Sequence, residues 1–80
     1  MSSECDKTYD ERLTRIGSLI RTWRELNTGL TQTELSRLSN LDRKTIYRVE
    51  KGYNVSLKNI MRITDILELD PVELFIDESP

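Results

Sequence analysis

Apolar positions recur along this chain at helical spacing, with no stretch of strand-like alternation. Leu13, Ile16, Ile20 and Trp23 lie three or four residues apart, with Leu19 and Leu26 at the border of the stripe. That pattern predicts a first helix over residues 9–26. Thr8 and Glu11 have capping-box spacing at its start, and Asn27-Thr28-Gly29 is a stop. Gly17 sits on the apolar side, where a missing Cβ would let another helix approach closely and offset the entropy glycine costs a helix. Trp23 occupies a core position, a better account of it than a stacking platform for a cofactor.

Two short helices follow. Thr31 caps the first, with Glu34 completing a capping box, and Leu35 and Leu38 supply an apolar edge. Ser39-Asn40 breaks that helix, Leu41 returns to the interior, and Asp42 is the expected cap of the next. On the next helix Ile46 and Val49 face inward, while Arg43, Lys44, Tyr47 and Arg48 share a different face. Gly52 ends it. Ser56 then caps a fourth helix whose apolar face is Leu57, Ile60, Ile63, Ile66 and Leu67, flanked by Met61 and ending near Leu69. Asp70, Pro71 and Glu73 have the cap, first-position proline and acid that open a fifth helix, residues 71–76. Residues 1–8 lack periodicity and read as a flexible tail, 9–76 as the folded domain, and 77–80 as a frayed end. The expected fold is all-α, with five helices, no strand, no internal repeat and no linker.

Eighty residues make one domain with a modest core. The net charge of −2 conceals a strong segregation. Residues 1–11 carry four acids and one lysine, net −3; residues 12–64 carry eleven bases and four acids, net +7; residues 65–80 carry six acids and no base, net −6. The basic middle contains the two short helices, so the local field there favours a polyanion although the whole chain is acidic. Charge can also serve only to solvate helix faces.

Chemistry is sparse. The chain has no histidine, and no acid pair, glycine loop or cysteine cluster points to a reaction. Neither enzyme activity nor a cofactor or metal is expected. The lone Cys5 reads as an unpaired thiol, which suits a reducing cytoplasm. The chain has no apolar run of membrane-spanning length, and its acidic start is unlike a signal peptide.

Two helices joined by a tight turn over residues 30–52, the second with a polar outer face, form a helix-turn-helix. The stretch LTQTELSRLSNLDRKTIYRVEKG resembles the phage repressor and Cro-type, or XRE-like, helix-turn-helix family. Thr31-Gln32, Glu34-Leu35, Leu41, Ile46, Val49-Glu50 and Gly52 carry the resemblance, which covers roughly residues 12–76. Ser39-Asn40-Leu41-Asp42-Arg43 is similar in particular to restriction–modification controller proteins. Three departures stand out. Asn40 replaces the usual glycine at the turn, Ser36 replaces the usual alanine, and Thr28 lengthens the first inter-helix connection by one residue. Asparagine tolerates the left-handed backbone best among non-glycine residues, so the turn should survive.

The resemblance implies a compact lambda-repressor-like domain whose third helix docks in the major groove of double-stranded DNA. By motif position, Arg43, Lys44, Tyr47 and Arg48 are the base-reading residues, and guanine is the expected partner of the cations. Gln32, Thr45 and Lys51 would hold phosphates, with Tyr53 and Asn54 as further phosphate contacts. Asp42 would be satisfied as a cap, because a free carboxylate repels phosphate. Arg24 and Glu50 would form a buried structural ion pair. A homodimer on a palindromic operator is implied, joined through Leu69, Val72, Phe75 and Ile76. The alternative is that Leu74 or Phe75 closes the core of the single chain.

The function this implies is sequence-specific transcriptional regulation in the cytoplasm, by occluding RNA polymerase or by contacting it, and in the controller proteins regulation of restriction–modification genes. The rival is the antitoxin of a toxin–antitoxin pair that autoregulates its operon, although the short ends leave little surface for a toxin. A third class, an interaction module with a vestigial helix-turn-helix, sits badly with Arg43, Lys44 and Arg48.

Overall fold

The computed structural model describes the backbone of residues 3–75 and the side chains of residues 11–75. Its elements are α1 (Ser3–Trp23), which continues into a π-helical turn (Arg24–Thr28), then α2 (Gln32–Ser39), α3 (Arg43–Lys51), α4 (Leu57–Leu67) and α5 (Val72–Phe75). No strand occurs among the described residues.

The first helix departs from expectation at its start. It begins at Ser3, so residues 3–8 are helical where a tail was expected, and Thr8 lies inside the helix where it cannot cap. Nothing between Ser3 and Tyr9 breaks a helix, and an interior threonine costs only a few tenths of a kcal/mol, about 0.7 at most. At the other end, Thr28 belongs to a widened helical turn where a loop was expected. Gly29 turns into the left-handed region at φ 69° and donates its N–H to Arg24 O at 2.8 Å, a π-type span. The Thr28 hydroxyl donates to the same carbonyl at 2.6 Å.

The capping box of α2 forms in both directions. Glu34 N–H donates to Thr31 Oγ1 at 3.1 Å, and Thr31 N–H donates to Glu34 Oε1 at 2.9 Å. The bond from the Thr31 backbone holds the Glu34 carboxyl below its ordinary value of 4.5. Asn40 makes the turn at φ 58°, and Ser36, one helical turn earlier, donates its hydroxyl to Leu41 O. The small side chain at that meeting point therefore also ties the turn down. Ser56 caps α4 by accepting from Asn59 N–H at 3.2 Å, and Asp70 Oδ1 accepts from Val72 N–H at 3.0 Å at the start of α5.

The core is Ile20, Leu35, Ile46, Val49, Ile60, Ile63, Leu67, Leu69 and Leu74. Trp23 lies half-buried against it and donates Nε1–H to Leu67 O at 2.8 Å, which closes α1 on the end of α4. Three expected core positions are outside it, half-buried Leu13 on α1 and two exposed leucines. Leu38 is 57% exposed. At 100° per residue, Ser39 lies nearer than Leu38 to the face that Leu35 defines, and Ser39 is the buried one, donating to Leu35 O at 2.7 Å. Leu57 is also exposed, since the packed stripe of α4 begins one turn later at Ile60. Leu69 errs the other way. Assigned to a partner surface, it is 6% exposed and belongs to the core of the single chain, as does Leu74.

Candidate nucleic-acid interface

Helix α3 divides cleanly. Ile46, Val49 and Glu50 are buried, while Arg43, Lys44, Tyr47, Arg48 and Lys51 are exposed. The exposed set has i, i+1, i+4, i+5, i+8 spacing, so five side chains form one continuous outer face, four of them cationic. Gln32, at the first position of α2, lies against the Arg43, Lys44 and Tyr47 end of that face across a shallow groove. The helix-turn-helix geometry thus brings the N-terminus of α2 beside the N-terminal half of α3.

Aromatic rings flank two of the cations. The Lys51 ammonium lies 5.6 Å from the centroid of the Tyr47 ring, one helical turn away. The Arg48 guanidinium carbon lies 5.6 Å from the centroid of Tyr53. Thr45 is half-buried near the start of α3, and Asn54 is exposed just beyond Tyr53. Asp42 corrects the expected cap. It stands at the N-cap position of α3 with extended backbone, but its carboxylate makes no capping hydrogen bond and is exposed. It therefore leaves a negative charge beside Arg43 and Lys44.

Behind the face, Arg24 and Glu50 form a bidentate pair, with Nε to Oε2 at 2.7 Å and Nη2 to Oε1 at 3.0 Å. Both residues are buried. Arg24 Nη1 also donates to Leu30 O at 2.7 Å, and Gln32 Nε2 donates to Glu50 Oε1 at 3.1 Å. The pair links α1, the start of α2 and the end of α3, and its hydrogen bond to Glu50 raises the Arg24 pKa. One N–H of the Gln32 amide is therefore turned inward, toward protein.

Sequence reasoning missed Arg21. It lines the groove that the Arg24–Glu50 pair floors, together with Arg43, Tyr47 and Lys51, and it makes an exposed ion pair of 3.5 Å with Glu25. Its available signal was its position one turn before Arg24 on α1. Among the expected partner-facing residues, Val72 and Phe75 are exposed, at 62% and 58%, and Ile76 lies outside the described residues. Among the described residues no cluster of three metal-ligating side chains occurs, and no helix is long and apolar enough to cross a membrane.

A five-helix domain that offers the basic outer face of the second helix of a helix-turn-helix is, in class, a DNA-binding domain of the lambda-repressor type. The helix-turn-helix family model matches residues 20–74. The chain belongs to that family of DNA-binding regulators, and within it to the restriction–modification controller proteins. It is similar to the restriction–modification controller protein C.AhdI from Aeromonas hydrophila, at 42% identity and a TM-score of 0.72 over 79% of this chain and 96% of that one. It is also similar to the wild-type controller protein C.Esp1396I, at 34% identity and a TM-score of 0.68 over 80% of this chain and 83% of that one. A point mutant of C.Esp1396I bound to its highest-affinity operator site matches at 34% identity and a TM-score of 0.69, over 80% of this chain and 84% of that one. No curated protein sequence matches the chain.

Proposed function

We propose that the chain is a homodimeric regulator of restriction–modification genes that places α3 in the major groove of a palindromic operator. The continuous outer face of α3 carries this reading. Arg43, Lys44, Tyr47 and Arg48 read base edges there, with the arginines suited to the O6 and N7 acceptors of guanine. Gln32 keeps its second amide N–H for a phosphate oxygen, and Thr45, Lys51 and Asn54 supply further backbone contacts. The protein works by binding, not by a reaction of its own, in the cytoplasm, and controls RNA polymerase by blocking it or by touching it. The similarity to a C.Esp1396I mutant bound to its operator site supports operator DNA as the ligand.

One recognition helix reads too few bases for a useful site. A two-fold dimer with half-sites roughly 34 Å apart solves that. Val72 and Phe75 on α5 offer the exposed apolar surface for it. Phe75→Glu should convert the dimer to monomer in sedimentation and melt like the wild type diluted to its monomer, because Phe75 is outside the core of the single chain. A lower melting temperature with the dimer intact would assign Phe75 to the core instead.

Footprinting on DNA upstream of the chain's own gene tests the whole reading. A protected palindrome is expected; binding without sequence preference would sink it. Within that site, Arg43→Ala should relax preference at one base position in each half-site by about 1–3 kcal/mol of discrimination. Uniform weakening on all sequences would place Arg43 on phosphate.

A further inference from the structure

The backbone sets Tyr53 against the outer face of α3. Gly52 ends that helix at φ 87° and donates its N–H to Val49 O at 3.1 Å, while the Tyr53 N–H reaches back to Arg48 O at 2.9 Å. This pair of bonds folds the residue after the glycine over the last helical turn. The reversal has no room to relax, since a Cβ on Gly52 would stand 2.6 Å from Thr14 Cα. The result is the 5.6 Å approach of the Arg48 guanidinium carbon to the Tyr53 ring centroid.

We infer that Tyr53 is a positioning residue for Arg48: its ring restrains the guanidinium at the groove-facing edge and sharpens preference for the base that Arg48 reads. The inference rests on the proposed base reading by Arg48, and it replaces a phosphate contact by Tyr53. An exposed arginine loses rotamer freedom when it docks on a base, and a ring that already restrains it reduces that loss. A cation–π attraction needs no hydrogen-bond acceptor on the ring, so it does not occupy the guanidinium in a conventional hydrogen bond. The in-plane fork therefore stays available for the O6 and N7 atoms of guanine. Lys51 over Tyr47 makes the same kind of contact, but an ammonium is a point charge with no fork to aim. The phenolic hydroxyl has no part in the effect, which separates this role from a hydrogen bond to phosphate.

The test is selection of binding sites from a randomised duplex library by the full chain and by Arg48→Ala, Tyr53→Phe and Tyr53→Leu, with melting temperatures in parallel. Arg48→Ala should lose preference at one base position of each half-site. Tyr53→Leu should weaken preference at that same position by about two- to fivefold, the worth of one exposed cation–π pair, and leave other positions unchanged. Tyr53→Phe should match the wild type. Three results overturn the inference: Tyr53→Phe behaving as Tyr53→Leu, which would make the hydroxyl the active group; Tyr53→Leu leaving preference intact; or a loss spread over all positions. If Arg48→Ala alters no base preference, the parent reading of Arg48 fails and the inference falls with it.

Discussion

Glu50→Ala is expected to destabilise the protein by about 3–5 kcal/mol, the cost of stranding one partner of a buried ion pair. Arg24 would keep its contact with Leu30 O and a loose 3.8 Å approach to the half-exposed Glu25, but lose both charge-assisted bonds to Glu50 while remaining out of water. It cannot escape by losing its proton, because an arginine stays charged at any accessible pH. Gln32 would lose its acceptor as well, so the defect would spread from α1–α3 contact to the start of α2. Against a total stability of roughly 5–15 kcal/mol for a domain, such a loss moves the urea midpoint far to the left. Replacing both partners with apolar residues, as in Arg24→Met with Glu50→Leu, should recover much of it, since no charge is then left unpaired. Base preference, measured at a temperature where the variant is still folded, should be unchanged. An unaltered urea midpoint in Glu50→Ala would mean that the pair contributes nothing.

The parts legible in the sequence are those decided within a few residues. The capping box of Thr31 and Glu34, the Ser56 cap and the left-handed Asn40 depend on local hydrogen bonds and backbone sterics, so spacing alone announces them. The outer face of α3 was legible for a related reason: its buried and exposed positions alternate at helical period. What escaped depends on what packs where. Leu38 and Ser39 exchange places because a short helix offers two adjacent positions to one neighbour, and hydrophobicity favours the wrong one. Leu69 was misassigned because an apolar residue after a helix end suits either a core or a partner. Arg21 joins the site only through the packing of α1 on α3, and Tyr53 meets Arg48 only through the reversal at Gly52. Asp42 shows a limit of motif reading. The N-cap position was right, yet its side chain makes no cap bond.

That same packing makes Gly17→Ala the second severe change expected. A Cβ built on Gly17 would stand 2.8 Å from Glu50 O and 2.9 Å from Glu50 C, and closer still to Val49 O. Real Cβ atoms do not approach so closely, and the obstacle is main chain in the last turns of α3, not the end of a flexible side chain that could swing aside. Overpacking of this kind costs about 1–3 kcal/mol, and a backbone obstacle puts the cost at the upper end. Alanine is the better helix former by about 1 kcal/mol, which offsets part of that cost without reversing its sign. Moving α3 outward from α1 to relieve the clash would also draw Glu50 away from Arg24 and so weaken the bidentate pair. Ser18→Ala, one residue along and exposed, gives the propensity gain without the clash. In thermal melting, Ser18→Ala should match or slightly exceed the wild type, while Gly17→Ala falls below both. If Gly17→Ala melted with Ser18→Ala, α1 and α3 would have slack between them, and the recognition helix would not be held at the separation that the glycine permits.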